Sequence, residues 1–285
     1  MEKFNLNTPI PESSDVCRTC GVPLNGQYCS NCGEKRFSKS NNSARNFAGE
    51  LLSEVTSLDG NFIRTIKLML SRPGVMSFQY LHGRRVPFFK PMSMFFIANL
   101  IYFMFPLSDG FNNTLYTQMH DQPYSDIATA MVNRRLKEEK KDLKSFTIEY
   151  EVQSTNMAKM ALILLVVYFS VPLWLVNIRK SLSYFDHLTV AFELMSLIIL
   201  MSFIAVVWIT YGIVLLTDRH ELLSDTYMGW PSMIIWLGLC YYFERNTYSQ
   251  TAVRSIAKAA LLLFFFMVCL QLYRGSLFFI TMWTL

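Results

Sequence analysis

The sequence predicts an all-α integral membrane helical bundle of about five transmembrane helices, preceded by a small cysteine-built N-terminal module and by amphipathic cytoplasmic helices. Three observations predict it. Of the 285 residues, 52% are hydrophobic and 16% charged, with a mean hydropathy of +0.26, whereas soluble domains run nearer about 25% charged. The apolar residues come in long blocks rather than in a periodic stripe, as they do in segments that face lipid on all sides. Four of the six cysteines form two close pairs near the N-terminus, Cys17 with Cys20 and Cys29 with Cys32.

Taken in order, residues 1–16 are polar and proline-containing, with no secretory signal, and read as a flexible arm. Residues 17–33 are the cysteine module, and the basic, serine- and asparagine-rich stretch 34–46 is a linker. Residues 47–90 turn amphipathic. Phe47, Leu51, Leu52, Val55 and Leu58 recur at helical spacing until Asp59-Gly60. A second helix, from about Asn61 to Ser71, sets Phe62, Ile63, Ile66, Met69 and Leu70 against Arg64 and Lys67, and Pro73-Gly74 ends it. These helices are too short and too charged to span. They lie on the membrane surface, pack under the bundle, or form a small soluble subdomain.

Residues 91–285 carry the spans, each judged against the roughly 20 apolar residues that cross a hydrocarbon core of about 30 Å. They are Pro91–Leu107, Met157–Ile178, Leu188–Leu216, Tyr227–Phe243 and Ala259–Trp283; a four-span reading ending near Tyr273 is geometrically open. Between the first two lies an extracytoplasmic excursion, 108–156. Its charge run from Arg134 to Lys141 reads as a solvated helix, and the alternation from Ser145 to Val152 as a strand or hairpin arm. No internal repeat is evident.

Lysines and arginines flank the spans on one side: Arg84, Arg85 and Lys90, then Arg179 and Lys180, then Arg245, Arg254 and Lys258. Such residues stay in the cytoplasm, and thiols also belong in a reducing compartment. The N-terminus is therefore expected inside and the C-terminus outside.

Two Cys-x-x-Cys turns present four sulfurs, enough to close a tetrahedral metal site, and Gly21 and Gly33 follow each second cysteine where a positive φ is needed. So few residues cannot bury a core, so metal binding must hold the module together. A structural zinc ribbon on Cys17, Cys20, Cys29 and Cys32 is the leading reading; a rubredoxin-type iron centre and, against the reducing compartment, disulfides are the alternatives. Four thiolates leave no position for a catalytic water. Cys240 and Cys269, inside spans, read as packing residues.

The doublet ending in Asn31-Cys32-Gly33-Glu34-Lys35 is followed by Leu58-Asp59-Gly60-Asn61-Phe62, by Ser71-Arg72-Pro73-Gly74, by Gly83-Arg84-Arg85 and Pro91, and later by Phe185-Asp186-His187. In that order these motifs resemble a bacterial group of zinc-ribbon membrane proteins, domain-of-unknown-function family 3667. The resemblance implies a bacterial inner membrane and the same architecture, and it implies no activity.

Arg84 and Arg85, with Lys90, sit beside Phe88 and Phe89 at the start of the first span, where guanidinium groups can fork onto lipid phosphates; a topology anchor explains them as well. Glu193 lies about two turns into the third span, where an acid costs about 3 kcal/mol and faces a cavity or partner. It reads as an interfacial carboxylate paired with Arg179 or Lys180, or as an ion-handling group. Arg274 falls toward the outer end of the last span, within reach of Asp218 or Glu221 or snorkelling to headgroups. Walker loops, dinucleotide fingerprints, His-Glu-x-x-His and serine elbows are missing, which argues against an enzyme. The expected role is a scaffold or regulator whose ribbon recruits a cytosolic protein partner. The alternative is a transporter, channel or lipid-handling protein using Glu193 and the Arg84/Arg85 cluster. Membrane lipids are expected surroundings and a homo-oligomer is compatible. Nucleic acid is not an expected partner, because Lys35, Arg36, Lys39 and Arg45 equally balance a doubly negative metal–thiolate centre.

Overall fold

The computed structural model describes residues 10, 11, 13, 15–37, 60–104, 111–217 and 225–285, with 202–205, 225, 226 and 228 described by backbone alone. The helix expected from Phe47 lies outside these residues, as do Asp218 and Glu221. The described chain is helical apart from the cysteine module. Its helices are α1 (Gly60–Ser71), α2 (Val75–Leu81), α3 (Pro91–Met104), α4 (Leu115–His120), α5 (Ser125–Glu139), α6 (Leu143–Val176), α7 (Tyr184–Ile198), α8 (Val207–Thr217), α9 (Asp225–Asn246) and α10 (Ala252–Thr284). A π-helical stretch, Ile199–Val206, joins α7 to α8 in one rod.

Side-chain contacts define two ends of the bundle. At the ribbon end, Pro73 and Gly74 carbonyls accept from Asn246 and Thr247 at the finish of α9, and Asn177 after α6 meets Glu244 of α9 and Lys258 of α10. At the other end, Arg135 donates to the Met282 carbonyl and Gln153 to Thr284. There α4 and α5 pack Leu115, Ala128 and Val132 against Phe146, Phe278 and Met282, forming a cap. Among the described residues, five helical runs therefore pass between the ends: α3, α6, the α7–α8 rod, α9 and α10. The ribbon and the C-terminus lie at opposite ends.

Three of these runs are long and apolar enough to cross a membrane: Leu143–Val176, Tyr184–Met201 and Ala252–Thr284. The fourteen residues of α3 extend only about 21 Å, short of a hydrocarbon core of about 30 Å. Met160, Val167, Val171 and Leu175 on α6, and Leu261, Phe264, Val268 and Leu272 on α10, face outward as continuous apolar stripes that a soluble protein would hide.

Two expectations about local structure are corrected. Ser145–Val152 forms no strand; it is the first part of α6, started by Asp142, whose carboxylate accepts from the Ser145 amide and hydroxyl. Phe146, Tyr150 and Ser154, four residues apart, are the buried face, while Ile148 and Val152 point outward. The absence of repeats is also corrected: Val16–Leu24 and Tyr28–Arg36 fold alike, as the next subsection describes. The charge run does form an exposed helix, with Arg134–Glu138 and Arg135–Glu139 paired one turn apart. In α1 the buried residues are Thr65, Leu68 and Met69, and Ile63 and Leu70 face away.

Candidate metal centre and its seat on the bundle

Each Cys-x-x-Cys knuckle is built the same way, twelve residues apart. Cys17 donates its amide to the Val22 carbonyl and receives that of Gly21; Cys29 donates to Glu34 and receives that of Gly33. Val16 bridges Pro23 as Tyr28 bridges Lys35. Gly21 and Gly33 take φ of +74° and +76°, the left-handed turn their positions were expected to need.

The two knuckles face each other so that all four sulfurs lie within 4.8 Å of one another. Cys17 and Cys32 Sγ are 3.5 Å apart, as are Cys20 and Cys29 Sγ. A tetrahedral ion with metal–sulfur bonds of about 2.3 Å needs sulfur separations of about 3.8 Å, so the set fits. The backbone amides of Cys20 and Thr19 point at Cys17 and those of Cys32 and Asn31 at Cys29, as thiolates require. Burial works to raise Cys29, but those amides and the Cys20 and Cys17 sulfurs outweigh it and bring it down to about 7. Burial raises Cys17 and, more strongly, Cys32. The four cysteines could thus hold a metal ion in a closed, structural site.

The module is seated on the turn between α2 and α3. The buried Glu34 carboxylate accepts from Thr19 Oγ1 at 2.7 Å and from the Arg85 and Val86 amides at 2.9 and 3.0 Å. Arg18 donates to the His82 carbonyl at 2.7 Å, and its guanidinium lies 3.9 Å over the Phe37 ring. Arg84 returns the bond, Nε donating to the Arg18 carbonyl at 2.6 Å and Nη1 to Gln79 Oε1 at 3.1 Å. Gly83, at φ +86°, lets Phe37 lie against its backbone. Burial lowers the Arg18 and Arg84 guanidinium groups, and the charge of Cys17 opposes this for Arg84. Arg84→Ala is expected to cost about 2–4 kcal/mol, because the Arg18 and Gln79 oxygens lose a charged donor in a buried place. The check is the apparent Tm in detergent, with Arg84→Lys recovering little because it lacks the fork.

This changes the reading of the basic cluster. Arg84 is 1% exposed and turned into the protein rather than toward headgroups. Arg85 lies 5.1 Å over the Tyr80 ring, and Lys90 is half-buried at the start of α3. Phe88 and Phe89, expected at the lipid interface, face inward: Phe88 is buried and Phe89 meets Phe62 edge-on, its amide held by Thr65 Oγ1.

Glu193 is likewise corrected. It pairs with neither Arg179 nor Lys180. Its side chain is fully buried, and Oε2 accepts from the Ser77 amide at 2.8 Å and from the Ser77 hydroxyl. An acid in α7 thereby pins α2, the helix next to the ribbon's seat. Asp186, seven residues and about two turns earlier, closes a capping box with Ser183. Arg274 sits on α10 at the cap end, close enough to Tyr124 for its charge to act there; the acids expected near it lie outside the described residues.

Sequence reasoning missed Glu34, Ser77 and a second buried group at the ribbon end, where Glu244 accepts from Asn177 and pairs with Lys258 at 3.5 Å, and His187 Nδ1 meets Tyr248 Oη at 2.8 Å. Glu244 could have been noticed as an acid closing an apolar run. Ser77 carried no local signal.

Residues 59–103 match a family model described as Protein of unknown function (DUF3667), the family that the sequence motifs resemble. The matched stretch runs through α1, the Pro73-Gly74 turn, α2, the Gly83-Arg84-Arg85 turn and nearly all of α3, so it contains the ribbon's seat. No curated protein and no solved structure matches the chain.

Proposed function

We propose that the chain is a bacterial inner-membrane protein that crosses five times, with its N-terminus cytoplasmic and its C-terminus outside. In this reading a structural zinc ribbon acts as a docked regulatory cap and recruits a cytosolic protein partner. The single observation that carries the proposal is the seat: Glu34 and the buried Arg84 make the metal module part of the bundle's own surface. An odd number of runs between the two ends supports the topology, as do the basic residues gathered at the ribbon end. Tyr28, 60% exposed on the knuckle that does not carry Arg18, offers an aromatic anchor for the partner.

Cross-linking in intact cells tests the role. The wild type is expected to capture a cytosolic protein that Tyr28→Ala and the double change Cys17→Ser, Cys20→Ser do not, while all three reach the membrane in equal amounts. Equal capture by all three would sink the proposal. A conduit is the weaker reading, because Glu193 spends Oε2 on locking α2. Glu193→Gln is expected to leave ion flux into reconstituted vesicles unchanged, and its abolition would favour the conduit instead.

A further inference from the structure

From Gly60 to Leu107 the chain has no aspartate or glutamate, while Arg64, Lys67, Arg72, Arg84, Arg85 and Lys90 bring six positive charges. Arg84 and Arg85 belong to the ribbon's seat, and Lys90 is half-buried. The other three, on α1 and just after it, are exposed. Among the described residues no carboxylate pairs with any of them. Beside them stand two large aliphatic side chains, Ile63 and Leu70, 73% and 48% exposed.

α1 is tied to helix ends on the ribbon side of the bundle. Near its start, Asn61 Nδ2 donates to the Val86 carbonyl at 3.1 Å, the Phe62 ring meets Phe89 edge-on, and Thr65 Oγ1 accepts from the Phe89 amide at 2.8 Å. All three contacts fall just ahead of α3. Beyond its other end, the Pro73 carbonyl accepts from Asn246 at 2.7 Å, at the finish of α9. α1 therefore lies at the level where two of the helical runs end. Leu68 and Met69 fix it there by entering the main core.

The side chains of α1 are sorted around its axis. At about 100° per residue, Ile63 and Leu70 point within about 20° of each other, with Lys67 about 40° and Arg64 about 100° to one side. Thr65, Leu68 and Met69 occupy the far side, against the protein. An aliphatic edge beside a cationic edge is the arrangement of a helix lying in a membrane interface, where aliphatics meet acyl chains and cations meet phosphates. The single sign of the charge selects an anionic leaflet over a neutral one.

We propose that the outward face of α1 binds anionic phospholipid, with Ile63 and Leu70 entering the acyl boundary and Arg64, Lys67 and Arg72 taking headgroup phosphates. The inference rests on the bundle being embedded in a membrane, and needs neither a partner for the ribbon nor a particular number of crossings.

The test titrates the full chain in detergent with phosphatidylglycerol or phosphatidylcholine and counts bound lipid by native mass spectrometry. The wild type is expected to prefer phosphatidylglycerol. The double change Arg64→Gln, Lys67→Gln is expected to weaken that binding about 20- to 30-fold, since each cation at an anionic surface contributes about fivefold. Both side chains are exposed and unpaired, so the apparent Tm without added lipid should not change. In nanodiscs containing phosphatidylglycerol, a photoreactive side chain in place of Ile63 should label lipid. Equal binding of the two lipids by the wild type, an unchanged preference in the double variant, or labelling confined to protein would each overturn the proposal. A chain that fails to enter nanodiscs at all would overturn the membrane reading together with this one.

Discussion

Cys17→Ser together with Cys20→Ser is expected to empty the metal site and release the ribbon from its seat. With all four sulfurs in place, purified protein should carry about one zinc per chain by element analysis; with two hydroxyls substituted, none. The expected effect is large because a module this small has almost no core: Cys17, Leu24 and Cys29 are its buried apolar residues. In comparable peptides metal binding supplies about 10–16 kcal/mol of apparent free energy, which is also the folding free energy. Once the knuckles open, Glu34 can no longer hold the Arg85 and Val86 amides, nor Arg18 the His82 carbonyl. Limited proteolysis should then cut within residues 15–37 while the bundle, held by its own core, remains resistant. A chelator should produce the same pattern on the wild type. Iron in place of zinc would leave the architecture intact and reassign the ion.

Gly74→Ala is the second change with a large expected effect, about 2–5 kcal/mol measured as a drop in apparent Tm. Two costs add. Gly74 has φ +82°, where a Cβ costs about 1–2 kcal/mol for any L residue. The new Cβ would also stand 2.7 Å from Thr247 Oγ1 and 3.1 Å from the Phe243 Cα, and a backbone atom in the hydrogen-bonded last turn of a packed helix retreats far less readily than a side-chain tip. Gly21→Ala separates the two contributions. Its φ of +74° is similar, but nothing lies within 4 Å of the added atom, so only the first cost should be seen. Equal losses at both positions would show that the close approach of α9 is not needed.

Much of this architecture was legible in the chain, for identifiable reasons. The apolar blocks located the three helices long and apolar enough to cross a membrane, because only a helix satisfies a backbone surrounded by hydrocarbon. The cysteine spacing located the knuckles because two residues between sulfurs make one tight turn. What escaped is what depends on distant partners. Glu193 and Ser77 are 116 positions apart, and Arg84 and Arg18 are 66 apart. A basic cluster before a span looks alike whether it faces phosphates or holds a neighbouring module. The Ser145–Val152 stretch misled for a different reason: strict alternation includes every fourth residue, so Phe146 and Tyr150 satisfy a strand's period and a helix's face equally well.

The π-wound stretch Ile199–Val206 has a consequence for the rod that contains it. Each wider turn takes up roughly one residue more than an ordinary one, which offsets every later side chain by about 100° around the axis. α7 before it is buried all round, whereas α8 after it buries only Val207 and Val214, seven residues apart on one face. Excising one residue from the stretch would restore even winding and rotate Val207 and Val214 out of the protein. The far half of that rod is thus aimed by a local miscount in its coil.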